Sequence, residues 1–185
     1  MRSLISTRVK HASHGIMLLL ACGFGPYAMG QTNLATFNAE NPYPKILELN
    51  WLNEQFLIKQ RNRIEEVVRQ NFGQSLKIGA GNLALLQRII DQEVLEIDDK
   101  MSTQALGVVL GDIFTDVDKR LIWQVYEDEL GKSHAVCVVD TKHCVFPVTM
   151  LSRRIEVGAP TDVRKIYQKN LTALQNVLPK RPYLD

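Results

Sequence analysis

The sequence contains no glycine-rich phosphate loop, no paired-cysteine zinc spacing and no Ser/His/Asp arrangement that can be placed. The sequence signals for nucleotide-phosphate binding, structural zinc and triad hydrolysis are therefore missing. Histidine is scarce: beyond residue 30 only His134 and His143 remain. A charge excess is missing too. The chain carries 22 basic and 20 acidic residues, but its first thirty residues hold Arg2, Arg8 and Lys10 and no acid, which leaves 19 basic and 20 acidic residues, a net charge of −1. Bulk charge gives no reason to expect nucleic acid or an anionic membrane as partner. No segment after the N-terminus approaches the roughly 20 apolar residues that span a bilayer. Internal repeats and low-complexity tracts are also absent.

The N-terminus has an organisation of its own. A basic, polar stretch, "MRSLISTRVKHASHG", precedes the short apolar run "IMLLLACGFG". Pro26 and the small residues Ala28 and Gly30 follow. This is the pattern of a secretory signal over residues 1–30, with the cut expected between Gly30 and Gln31. A second processing route is open, because "LLAC" resembles a lipobox that would lipidate Cys22. The mature chain is expected to be exported, most simply to a bacterial periplasm.

Residues 31–44 read as an extended or disordered lead, with Pro42 and Pro44 disfavouring helix before them. Residues 45–185 read as a single α+β domain of three N-terminal helices, a three-stranded antiparallel meander and one C-terminal helix packed on the sheet. The first helix is expected within Lys45–Phe72, with an apolar stripe of Leu52, Phe56, Ile64, Val67 and Val68 and Gly73 as its C-terminal cap. The second starts near Asn82 as N-cap. The third spans "QALGVVLGDIF", where Gly107 and Gly111 lie four apart on one face and would let a neighbour approach closely. "LIWQVY", "SHAVCVV" and "KHCVFPV" read as strands. Pro147 would mark an edge or the end of the last strand. "TMLSRRIEVG" is ambiguous, and a final helix is expected from about Thr161 to Leu178.

Register decides the reading of Cys137 and Cys144. With Asp140–Thr141 as the turn, Cys137 falls opposite Cys144, close enough for a disulfide after a small adjustment. Oxidation is expected in an exported protein, and two buried free thiols are the alternative. A metal site including His134 and His143 is not expected, because strand alternation puts the histidines on the opposite face from the cysteines. The same alternation keeps His143 away from either thiol as a base. The register also defines a core face with Leu121, Trp123, Val125, Val136, Val138 and Val145. Ile122, Tyr126, Ala135, Val139 and Phe146 lie on the second face, which is apolar enough to suggest a cover.

Several charged groups stand out. Asp112 and Asp116 lie near the end of the third helix, and Glu127, Asp128 and Glu129 form a row at a hairpin turn. Paired carboxylates suit acid–base hydrolysis, but three acids at a hairpin turn are usually a solvated loop, and Glu127 facing Lys132 across the strands accounts for it structurally. Arg153 and Arg154 are a candidate anion site, since arginine binds carboxylate or phosphate bidentately. The plainer reading pairs them with nearby acids.

The blocks "LQRIID", "ALGVVLGDIF", "WQVYEDELG", "FPVTMLSRRIEVG" and "VRKIY", in that order over Leu85–Tyr167, resemble the bacterial domain of unknown function 3806. The resemblance implies a small protein, often exported, of Gram-negative bacteria. It implies motif positions at Gly107, Gly111, Asp112, Trp123, Asp128, Gly131, Pro147, Arg153, Arg154 and Gly158, and assigns no activity, cofactor or catalytic residue. The expected function is a non-enzymatic envelope module that binds a protein or peptide, as an accessory factor or an immunity-type inhibitor. Two alternatives stay open. One is a hydrolase using Asp112 or Asp128 with Arg153 or Arg154; the other is a domain that binds a small anionic ligand. No cofactor and no metal are expected. Asp112, Trp123, Asp128, Arg153 and Arg154 are the candidate functional residues.

Overall fold

The computed structural model describes residues 43–179. The expected signal segment over residues 1–30, its expected cut at Gly30–Gln31, Cys22 and nearly all of the expected 31–44 lead lie outside these residues. The described part belongs to one compact unit, Ala39–Asp185. Five helices lie with one antiparallel sheet of strand order β1-β2-β3-β4. The α+β class holds, and the element count is larger than expected.

Strand β1 (Lys45–Leu47) pairs with β2 (Leu121–Asp128) and was not expected from the sequence. Three residues are too few to show an alternating pattern, and Lys45–Leu47 abuts a helix long enough to absorb them. That helix, α1 (Trp51–Phe72), starts where Asn50 Oδ1 accepts the Asn53 amide at 3.0 Å. It ends at Gly73, whose φ of 60° and bond to the Arg69 carbonyl form the left-handed cap. Its buried face is Leu57, Gln60, Ile64 and Val68; Leu52, expected on the stripe, is 68% exposed.

Helix α2 (Asn82–Asp91) begins one residue earlier than the sequence suggests. Gly81 occupies the cap, and Asn82 is the first helical residue. The Asn82 side chain instead turns back to the preceding connection, accepting from the Lys77 amide at 2.7 Å and donating to the Lys77 carbonyl. Helix α3 (Lys100–Val117) is capped by Asp99, whose Oδ1 accepts the Ser102 amide at 3.0 Å.

The β2–β3 hairpin, with β3 at Gly131–Val138, has the expected register: Glu127 faces Lys132 and Asp128 faces Gly131. Strand β4 is only Cys144–Val145, with Cys137 opposite Cys144. Pro147 does not close a strand. It opens helix α4 (Pro147–Glu156), where a missing N–H does no harm and a fixed φ favours helix. The ambiguous segment is therefore a helix. Helix α5 (Val163–Gln175) is capped by Asp162, whose Oδ1 accepts the Lys165 amide at 2.9 Å.

One core unites these elements. Leu121, Val136, Val138 and Val145 from the expected sheet face pack with Leu86, Ile89, Leu106, Leu110, Phe114, Leu151 and Tyr167, and Trp123 lies against them. On the second face Ala135 and Cys137 are fully buried and Tyr126 meets Phe146 edge-to-face at 5.0 Å. Val138 N donates to His143 O, so the next pair, Cys137–Cys144, is of the close, non-hydrogen-bonded kind. Its Cα atoms are 4.0 Å apart and the sulfurs are joined.

Candidate functional site

The glycines of α3 set the frame of the site. A Cβ on Gly107 would lie 2.2 Å from the Pro147 carbonyl oxygen and 2.6 Å from Val148 Cα. A Cβ on Gly111 would lie 2.0 Å from the Trp123 ring. The two positions thus seat α4 and β2 directly on the α3 backbone, as the four-residue glycine spacing suggests.

Asp112 is fixed within this frame. Arg61 donates to it from Nε (2.6 Å to Oδ2) and Nη2 (2.7 Å to Oδ1), and Trp123 donates from Nε1 (3.0 Å to Oδ1). The Asp112 carboxylate holds the Arg61 guanidinium above its ordinary value, against the opposing effect of burial. Each charge-assisted bond of this kind is worth about 1.5–3 kcal/mol when desolvated, and less here, where Arg61 and Asp112 remain 35% and 24% exposed. Asp112 and Trp123 are brought together as α1–α3–β2 fasteners. Asp116 accepts from the Gly79 amide at 2.9 Å and ties down the α1–α2 connection. Asp128 caps the hairpin: its Oδ1 accepts the Leu130 and Gly131 amides at 2.9 and 3.1 Å.

Arg153 and Arg154 behave differently. Both are exposed on α4, and neither forms an ion pair with an acid among the described residues. Arg154 makes one long contact, Nη1 to the Pro160 carbonyl at 3.5 Å. Pairing with neighbouring acids, the plainer expectation, is not what the fold provides. The nearest acid along the chain, Glu156, is taken by Lys100 at 3.2 Å.

Arg153 stands where two clefts meet. One, of about 600 Å³, runs past Asp128, Lys132 and His134 near the hairpin turn. The other, of about 510 Å³, lies among β4, α4 and α5 and includes Arg154, Val157, Ile166 and Lys169. Phe146, Thr149 and Arg153 line both, so the two clefts adjoin along α4 and are together called the α4 groove. Its walls carry four basic residues (Lys132, Arg153, Arg154, Lys169) and one acid (Asp128), a balance of +3. Lys132 is shared with Glu127 at 3.8 Å, the cross-strand pair read from the sequence.

His134 forms part of the first cleft and is held on two sides. Its ring stacks on Phe56, with centroids 4.6 Å apart. Its Nε2 lies 2.9 Å from Asn53 Oδ1. Asn53 Nδ2 already donates to Asn50 Oδ1, so Oδ1 is the acceptor and His134 carries its proton on Nε2. Burial pushes the imidazole pKa below its ordinary value. Among the described residues no cluster of three or more His, Cys, Asp or Glu side chains is placed to hold a metal ion. No described helix is long and apolar enough to cross a membrane.

Arg61, Lys169 and the His134–Phe56–Asn53 contact were missed from the sequence. Arg61 and Asp112 are 51 positions apart, and no periodicity links them. Lys169 gave a weak signal: it lies one turn from Ile166 on the expected last helix.

Residues 82–167 match the family described as Domain of unknown function (DUF3806). A crystal structure from Bacteroides thetaiotaomicron VPI-5482, determined at 1.50 Å, is similar with a TM-score of 0.65 and 14% sequence identity. The similarity covers 74% of this chain and 50% of that one, so this chain spans about half the length of its structural neighbour. At that identity the likeness is one of fold. No curated protein matches. From the start of α2 to Tyr167 in α5, the chain thus resembles the domain of unknown function 3806 family.

Proposed function

We propose that the protein is a non-enzymatic module, exported to the cell envelope, whose α4 groove binds an acidic and partly apolar segment of a partner protein. The observation that carries this reading is the contrast among its charged groups. Asp112 is consumed in packing and Asp128 in a turn, whereas Arg153 and Arg154 stay exposed, without an acid partner, in a groove of positive balance. Phe146, Met150 and Val157 give that groove apolar surface, and Val157 is 75% exposed. Arginine beside apolar or aromatic surface is the combination enriched where proteins bind proteins.

The test is a titration of the purified protein with a synthetic peptide of alternating glutamate and leucine. Arg153→Ala should weaken binding about tenfold, since it removes a charge-assisted contact at the centre of the groove. Replacing glutamate by lysine in the peptide should abolish binding. Equal binding by wild type, Arg153→Ala and Arg154→Ala would refute the reading. Free glutamate that displaced the peptide at similar concentration would favour a small anionic ligand instead.

A hydrolytic reading draws on one observation: Asp128, His134 and Arg153 share a cleft. Asp128→Asn separates it from the binding reading, because peptide affinity should survive that change whereas turnover by an acid at this position would not.

A further inference from the structure

Among the described residues the sheet ends at β4, with no further strand on its outer edge. Val138 N donates to His143 O at 2.9 Å. A trans peptide points its C=O and N–H in opposite directions, so the Cys144 N–H is sent outward, away from β3. The next pair along, Val136 and Val145, is of the hydrogen-bonded kind. The Cys144 carbonyl and the Phe146 N–H therefore turn outward as well. No other described element bonds to these three groups. The Cys137–Cys144 bridge pins the edge to β3. Two donors and one acceptor thus stand in the pattern that an adjoining strand takes up.

This edge borders the cleft of about 510 Å³ among β4, α4 and α5, and Cys144, Val145 and Phe146 form one of its sides. Arg153, Arg154 and Lys169 line the cleft and no acid does. Met150 and Ile166 add apolar surface. A segment of opposite charge is therefore favoured there, and its conformation is decided by the edge. A helix laid in the cleft would satisfy its own backbone and cover the three outward groups without bonding to them. A small anion would meet the arginines and leave the edge unused. An extended segment answers both the charge and the main-chain groups.

We propose that the partner segment binds as a fifth strand on the outer edge of β4, with its main chain bonded to Cys144 N–H, Cys144 C=O and Phe146 N–H. The proposal rests on the binding reading of the α4 groove and adds the form its partner must take. Successive side chains of a strand point to opposite sides. Acidic and apolar residues must therefore alternate in the segment, so that one set meets Arg153, Arg154 and Lys169 while the other packs on the apolar surface. Strand addition takes its affinity from the main chain and its selectivity from alternate side chains.

The probe is the alternating glutamate–leucine peptide, titrated into the purified full chain in three forms: unmodified, N-methylated at every glutamate nitrogen, and N-methylated at every leucine nitrogen. In a strand, successive N–H groups face opposite edges, so only one methylated form blocks the pairing. That form should lose at least about tenfold in affinity, and the other should stay within about threefold of the unmodified peptide. Hydrogen exchange at the Cys144 and Phe146 amides should slow at least about tenfold on saturation, because both gain a partner. Equal loss in both methylated forms would indicate a helix, and loss in neither would indicate side-chain contacts alone. Either result, or unchanged exchange at Cys144 and Phe146, would overturn the strand while leaving the groove reading intact. No binding of the unmodified peptide would overturn both.

Discussion

Gly107→Ala tests the seat on which α4 rests. In an exposed helix the change would stabilise by about 0.5–1 kcal/mol, because alanine is the better helix former. Here the new Cβ would stand 2.2 Å from the Pro147 carbonyl oxygen. Carbon–oxygen contacts normally begin near 3.3 Å, so α4 must withdraw by about 1 Å. The obstacle is backbone, and no rotamer change removes it. A gap of that size forfeits a quarter to a half of each dispersion contact it opens, and overpacking of this kind costs about 1–3 kcal/mol. Leu151 and the other α4 residues facing α3 bear the loss, so the upper end applies. After subtracting the gain in helix propensity, the net destabilisation should be about 2 kcal/mol. In urea, with a slope of about 2 kcal/mol per molar for a domain of this size, the midpoint should fall by about 1 M with the slope unchanged. Gly81→Ala is the control. Its φ is −58° and its added Cβ would find nothing closer than Lys77 Cδ at 3.6 Å. It should be neutral or stabilise by up to about 1 kcal/mol. A Gly107→Ala midpoint equal to that of wild type would refute the close approach of α3 and α4.

Gln60 is fully buried with neither amide atom partnered. Gln60→Met keeps the volume and removes the desolvated amide, so it should raise stability by about 1–2 kcal/mol in the same urea assay. Acidification should act through His134, whose pKa in the folded protein lies below its ordinary value near 6.5 because of burial. As pH falls through 6.5 toward the lowered folded value, the unfolded chain takes up the proton first, so stability present at neutral pH is lost across that window. His134→Gln should flatten that part of the stability–pH profile, and an unchanged slope would remove His134 as its source.

Local rules carried much of the fold, and their failures have physical causes. The β2–β3 register, Glu127 opposite Lys132 and Cys137 opposite Cys144 follow from turn length and alternation, which act over a few residues. Strand β1 escaped because three residues show no period. Helix α4 escaped because Pro147 after a strand signals either an end or a beginning, and only the packing of Leu151 on the core decides. For the candidate site, Arg153 and Arg154 were legible as residues but not as unpaired ones: whether an acid reaches them depends on where Lys100 places Glu156. Asp112 read as a chemical carboxylate, since its partner Arg61 comes from a helix 51 positions earlier.

A helix seated backbone-to-backbone on its support cannot adjust alone. The first turn of α4 touches the α3 main chain at Gly107, so the wall that presents Arg153 and Arg154 already has its shape before any partner arrives. Under the proposed binding role, the ordering on association falls on the incoming segment. Affinity should rise when that segment is stiffened in its bound form, by cyclisation or proline, more than when contacts are added to it. Differences among partners should appear in how long they stay rather than in how quickly they arrive.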